Sequence, residues 1–316
     1  MANFNKNLFV GCGGVEAINL SHFIGAVHGM EKMMGRASNP LRDILNYASE
    51  NYLQKKLPLW YILTVVGAND NTGNLEIKGF YIGNDIEAYK KACELSLQVN
   101  FSLVDKPLKK IVCYLDKDEY HSTWLGNKAI YRTRMAIADN GELIIIASGV
   151  PKFGEDDEVD LLIRKYGGYR GTPYIMNQMK ENQDLRNNLS AVAHLIHGSS
   201  EGRFRVKYCP SSALSINDIE GVGFEFGNLE EIRRRYDPDR LQNGWNTLED
   251  GEEVFFIANP ALGLWSTRER FLSSDTLKGS DEQSVSKLPI NELESQQAND
   301  LSGGVGGWMK EPKCKS

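Results

Sequence analysis

The sequence predicts an α/β protein of two α/β lobes, the C-terminal one a doubly wound, mostly parallel sheet. Three observations predict it. Strand-like and helix-like segments alternate along the chain after residue 107. Glu142-Leu-Ile-Ile-Ile-Ala-Ser148 is a near-continuous apolar run, the pattern of a strand buried on both faces. The composition, 41% hydrophobic and 25% charged over 316 residues, is that of a globular chain long enough for two domains or one large one. The expected divisions are an N-terminal lobe over 1–105, a C-terminal α/β substrate lobe over 106–271, and a polar, disordered tail over 272–316.

The elements follow in order. Asn7-Leu-Phe-Val10 reads as a short strand before Gly-Cys-Gly-Gly. Asn39 suits a helix cap and Pro40 the first helical position, with Leu41, Ile44, Leu45 and Ala48 on one face. Trp60–Val66 and Leu75–Tyr81 read as strands joined through a turn at Asp70-Asn-Thr-Gly-Asn74. Asn84 or Asp85 caps a helix running to about Phe101, and Asp105-Lys-Pro107 reads as a linker. Beyond it come a strand at Lys110–Leu115, a helix over Trp124–Asp139 and the apolar strand at Glu142–Ser148. Helices follow at Asp156–Lys165 and Tyr174–His197, then strands at Arg203–Cys209 and Glu253–Ala258 around a charged helix at Asn228–Arg235.

Bulk properties exclude several classes. A net charge of −6 gives no electrostatic case for a nucleic-acid partner. No apolar run approaches membrane-spanning length, and Met-Ala-Asn-Phe-Asn-Lys lacks the pattern of a signal peptide. The five cysteines are scattered without a C-x-x-C pair, so they read as reduced and the expected location is cytoplasmic.

Three segments carry groups capable of chemistry. His22-Phe-Ile-Gly-Ala-Val-His28-Gly-Met-Glu-Lys32 follows a Gly-rich turn. Gly25 and Gly29 let backbone approach a ligand closely, and a neutral histidine is a natural proton acceptor near pH 7. The competing reading is a surface loop with solvated His22 and Lys32. Glu119-Tyr-His121-Ser-Thr-Trp124-Leu-Gly-Asn127-Lys128 lies between a strand and a helix, the ligand-facing edge of an open α/β sheet. There Lys128 suits a carboxylate and Trp124 a pocket wall; the competing reading is a helix start capped by Ser122 or Thr123. His194 and His197 share a helix face and can share a metal, as in a zinc hydrolase, but spacing offers no third ligand, and a plain helix ending at Gly198 explains them equally. Gly167-Gly-Tyr-Arg-Gly171 reads as a loop, and the sequence has neither a P-loop nor a G-x-S-x-G elbow.

Taken together, "HFIGAVHGMEK", "NPLRDILNYA" and "WLGNK" before "GELIII" resemble segments of the nickel-dependent lactate racemase family, some members of which are labelled D-mannonate epimerase. The first resembles its H-x-x-x-G-x-x-G-G-x-K-type motif, with histidine and lysine ten positions apart. The resemblance covers roughly 8–260 and makes 1–105 part of a cofactor-binding lobe. It implies a nickel-pincer nucleotide, nickel pyridinium-3,5-bisthiocarboxylic acid mononucleotide, tethered at Lys32 beside Gly25 and Gly29. It implies His22 as acid/base, Lys128 and His121 as further catalytic contacts, and Trp124 and Asn127 in the substrate pocket. A hydride taken from C2 of a 2-hydroxy acid, with sugar acids such as mannonate among the candidates, and returned to the other face would invert the centre.

Two departures stand beside the matches. The family's region before the His22 motif, with a second catalytic histidine and nucleotide contacts, has no counterpart here. No histidine lies between Lys32 and Asn39, where the family has its nickel ligand; His28 is the nearest substitute. The alternative is therefore a truncated or non-catalytic α/β module that binds a small anion or a partner chain. Its expected partners are a homo-oligomeric copy or a missing N-terminal segment, and a missing half-domain should leave an apolar surface exposed.

Overall fold

The computed structural model describes residues 4–69, 74–272 and 290–291. The first lobe opens on a π-helical turn, Asn7–Gly11, where the sequence predicts a strand; Val10 is buried in it, so its apolar residues anchor the turn without a ladder. Helix α1 (Gly14–His28) carries the histidine motif and ends at Gly29, whose φ of 108° turns the chain into the single-turn α2 (Met30–Met33). Helix α3 (Pro40–Ala48) starts as its sequence dictates: Asn39 Oδ1 accepts from Arg42 N at 2.9 Å, and Pro40 needs no partner for a missing N–H. Its buried side carries Leu41 and Leu45, whereas Ile44 is exposed. Asn39→Ala is expected to cost about 1 kcal/mol in urea unfolding, because the first-turn N–H loses its acceptor.

Strands β1 (Tyr61–Ala68) and β2 (Leu75–Gly83) pair antiparallel, and α4 (Ile86–Asn100), capped by Asp85, packs on one side of them. The other side carries Ile62, Val66, Ile77, Phe80 and Ile82, all exposed and apolar, and no described residue covers it. Strand β3 (Phe101–Val104) follows directly.

The second lobe begins with β4 (Leu108–Tyr114). The sequence predicts one helix over Trp124–Asp139; instead α5 (Thr123–Gly126) and α6 (Lys128–Thr133) form, and β5 (Ile137–Ala147) already enters the sheet. Ile137 is fully buried, so the sheet claims residues that helical periodicity had assigned to the helix. Helix α7 (Asp157–Lys165) is capped by Asp156. The long helix expected to Tyr174–His197 is three: α8 (Thr172–Glu181), α9 (Gln183–Asn187) and α10 (Leu189–His197). They break at Asn182 and Asn188, and the Asn188 side chain caps α10 through Ala191 N. Strand β6 (Arg205–Pro210), α11 (Ile216–Gly221), β7 (Glu225–Phe226), α12 (Leu229–Arg235), β8 (Gly244–Thr247) and β9 (Glu253–Ile257) complete it.

The six strands lie in the order β7-β6-β5-β4-β9-β8, parallel except for β8 at one edge. The predicted doubly wound fold class is observed. Leu143, Ile145 and Ala147 point to the layer of α7 and α10, and Ile144 and Ile146 to the layer of α12. This alternation is why the strand reads as unbroken apolar sequence. Strand β4 sits where the order reverses between β5 and β9, so the chain leaving its carboxyl end runs along the crevice where open α/β sheets bind ligands.

The chain then returns to the first lobe. Strand β10 (Leu264–Thr267) pairs parallel with β3, α13 (Arg268–Leu272) follows, and β11 (Ile290–Asn291) pairs with β3 on its other side. Leu264 and Phe271 join Met30, Met34 and Leu103 in one buried cluster. The predicted polar tail otherwise lies outside the described residues. No described helix is long and apolar enough to cross a membrane, and the described residues form no disulfide.

Candidate functional site

Helices α1 and α10 pack against each other, and α5 and α6 close over their junction. A cavity of about 270 Å³ lies between them. His22 and Gly25 line it from α1, one turn apart on the same face. Trp124, Lys128, Tyr131 and Arg132 line it from α5 and α6, and His194 and His197 from α10. Met30, Met33, Met34 and Leu41 give it an apolar floor.

The histidines are held neutral. His22 Nδ1 lies 2.7 Å from the Ile18 carbonyl, which can only accept, so Nδ1 carries the hydrogen and Nε2 is the acceptor. Burial lowers its pKa from the usual 6.5; the Ile18 bond opposes that and Lys6 reinforces it. His194 and His197 are both pulled down to about 3, by burial first. His197 then weighs on His194, and His22 and Arg134 weigh on His197. His194 Nε2 sits 2.9 Å from Thr123 Oγ1 and 3.0 Å from the Tyr169 hydroxyl. The Trp124 indole stands between the two helices, 6.0 Å from the His22 ring and 5.2 Å from the His194 ring.

The cavity's cations form no ion pair among the described residues, although the more distant Glu119 acts on Lys128. Lys6, Lys128 and Arg132 line it, and no described carboxylate forms an ion pair with any of them. Arg132 Nη1 is fixed by the carbonyls of Ala261 and Gly263 at 2.8 and 2.9 Å. Burial, then Arg132, lowers the Lys128 pKa against the opposing pull of Glu119, and burial, then Arg42, lowers that of Lys6. Positive charge confined without a partner is costly, and an anion entering the cavity relieves it.

A second cavity, of about 470 Å³, lies beyond Met30 and takes Gly29 and Lys32. Its arginines are already matched: Glu31 accepts from Arg134 at 3.0 Å and Arg203 at 2.7 Å, and Asp139 accepts from Arg203 and Arg270, both at 3.0 Å.

Of the residues singled out in the sequence, His22, Gly25, Trp124 and Lys128 therefore meet in one cavity. Lys32 and Gly29 face the other. His28 lines neither, and its buried Nε2 has no hydrogen-bond partner. His121 is exposed on the loop before α5. Asn127 is fully buried behind the cavity, beside Tyr169. Sequence reasoning missed Lys6, Tyr131 and Arg132, and gave His194 and His197 no role beyond a metal pair lacking a third ligand. Among the described residues no three His, Cys, Asp or Glu side chains gather to hold a metal ion.

The sequence matches no protein-family model and no curated protein. Solved structures do match. A Thermotoga maritima protein from a structural-genomics consortium superposes with a TM-score of 0.62 and 22% identity, over 78% of this chain and 58% of its own. The lactate racemase apoprotein from Thermoanaerobacterium thermosaccharolyticum superposes with a TM-score of 0.50 and 13% identity, over 72% of this chain and 50% of its own. The fold is lactate racemase-like. At these identities the likeness is one of fold, and the chain spans only 58% and 50% of the two proteins' lengths.

Proposed function

We propose that this chain binds a small 2-hydroxy acid in the His22 cavity and serves racemisation or epimerisation at its C2 carbon. One observation carries the reading: three cations that form no ion pair among the described residues, Lys6, Lys128 and Arg132, share a small cavity with a neutral histidine whose free nitrogen is an acceptor. The lactate racemase-like fold supports it. The substrate carboxylate would lie against Lys128 and Arg132, and the C2 hydroxyl would donate to His22 Nε2. Trp124 and the methionines exclude water around the remaining carbons.

Inversion also requires cleavage of the C2–H bond, which is not acidic enough for histidine alone. The family resemblance assigns that task to a nickel-pincer nucleotide. The described residues do not fit that group as the resemblance places it: its tether Lys32 faces the second cavity, and His28, the substitute nickel ligand, faces neither. What this chain's residues supply is anion binding and proton acceptance. The same misfit favours a second reading, a non-catalytic module that binds the same acid and leaves C2 unchanged.

Calorimetric titration with lactate and with mannonate tests the proposal. Binding is expected, and Lys128→Met is expected to weaken it about tenfold, the worth of one charge-assisted contact. Absence of binding by either acid overturns the reading. Binding without conversion of either hand, read by chiral chromatography, selects the module over the isomerase.

A further inference from the structure

We propose that the His22 cavity selects a 2-hydroxy diacid, with Lys6 receiving a second carboxylate apart from the one that lies against Lys128 and Arg132. The inference rests on the 2-hydroxy-acid reading above and names the class of acid, from a residue outside the motifs that carry the family resemblance.

Lys6 is the cation that a single carboxylate leaves unused. It lines the cavity from the residue before the π-helical turn Asn7–Gly11, and its backbone is pinned on both sides. Phe4 and Asn5, just before it, are both buried. The Phe4 ring lies against Tyr61 and Tyr89, with centroids 4.2 and 5.3 Å apart. The Asn5 side chain donates to Asn46 Oδ1 at 2.9 Å and accepts from the Tyr61 hydroxyl at 2.5 Å. On the other side Val10 is buried within the turn. The lysine therefore rises from fixed backbone and not from a loose end of chain.

The cavity has two positive regions. Lys128 and Arg132 are neighbours on α6, and Arg132 acts on Lys128. Lys6 acts instead on the His22 ring of α1. Lys128 also has the distant pull of Glu119, whereas what acts on Lys6 is burial and then Arg42, and both disfavour its charge. A carboxylate held between Lys128 and Arg132 leaves Lys6 in a cavity whose floor, Met30, Met33, Met34 and Leu41, offers no anion. A confined charge without a counterion favours the ligand that brings one and rejects the analogue that lacks it. Size limits the reach of that ligand. The cavity, at about 270 Å³, is small beside ordinary ligand pockets, which begin at about 300 Å³. The second carboxylate must therefore stand only a carbon or two beyond C2, as in a four-carbon 2-hydroxy diacid.

The test is calorimetric titration with malate and with 2-hydroxybutyrate, which has a methyl group where malate has its second carboxylate. The wild type is expected to bind malate about tenfold more tightly, the worth of one charge-assisted contact. That comparison needs no variant to fold. Lys6→Met, which keeps the length of the side chain and removes its charge, is expected to abolish the preference, and Lys6→Arg to keep it. A wild type that binds the two acids within about twofold of each other overturns this inference and leaves the 2-hydroxy-acid reading standing. So does a Lys6→Met protein that still prefers malate about tenfold, because the second carboxylate then lies elsewhere. A wild type that binds neither acid overturns the 2-hydroxy-acid reading itself.

Discussion

Between pH 7.5 and pH 5 the protein is expected to lose about 4 kcal/mol of folding stability, with His194 and His197 responsible for about 2 kcal/mol each. Both titrate at about 3 in the folded chain, against 6.5 for an ordinary histidine. Below 6.5 the unfolded chain takes up protons that the folded chain refuses. The stabilisation is therefore fully present above 6.5 and drains away as the pH falls towards 3. At pH 5 the loss depends only on the unfolded value, because the folded rings are still neutral there. His22, also lowered, adds in the same direction. The carboxylates with lowered pKa, Glu142, Glu252 and Asp160 among them, start from 4.5 or 3.8 and contribute only at more acid pH. Urea unfolding followed by tryptophan fluorescence at the two pH values measures the difference. His197→Phe should roughly halve it, and a flat profile in the wild type would mean that both rings reach water.

That dependence comes from residues the sequence left ambiguous, and the reason is physical. The central strands of the second lobe and the helices that follow Asp156 and Asn228 were legible because each is encoded locally. The run Leu143-Ile-Ile-Ile146 writes a buried strand into four consecutive letters, and the helices that Asp156 and Asn228 cap were read close to where they form, whereas the break that Asn188 caps was read as continuous helix. Trp124 and Lys128 were legible as odd residue types at element starts, and His22 as a histidine in a glycine-containing segment. His194 was not, because what holds it is Thr123, 71 positions away, and Tyr169, 25 positions away. Arg132 was hidden inside a helix assigned by periodicity. His22 and Lys32 line two different cavities for a local reason that spacing conceals: Gly29, at φ 108°, turns the chain between them. The third sheet, which joins β3 to β10, was invisible for the same reason as His194: its partners are far apart in the chain and neither strand is long enough to show a pattern.

Gly198→Ala is expected to destabilise the protein by about 3 kcal/mol, the upper part of the range for over-packing. The glycine ends α10, where a left-handed cap would be the ordinary reason for it. Its φ and ψ are −80° and −4°, which any residue adopts. Space is the reason instead. A β-carbon there would lie 2.3 Å from Tyr169 Cδ1 and 2.4 Å from Asn127 Nδ2. Neither neighbour can retreat: Tyr169 is stacked on Phe224 with ring centroids 4.7 Å apart, and Asn127 is fully buried. Gly202 is the opposite case. Its φ is +71°, and nothing lies within 4 Å of an added β-carbon, so Gly202→Ala should cost only the backbone strain, about 1 kcal/mol. An argument from backbone conformation alone ranks Gly202→Ala as the more harmful; an argument from packing ranks Gly198→Ala. Urea midpoints of the two variants decide between them. The outcome bears on the site as well, because the atoms that Gly198 makes room for belong to the ring whose hydroxyl bonds His194 Nε2. A Gly198→Ala protein as stable as the wild type would mean that the Tyr169 ring moves freely, and a freely moving Tyr169 could not hold the His194 ring through Nε2.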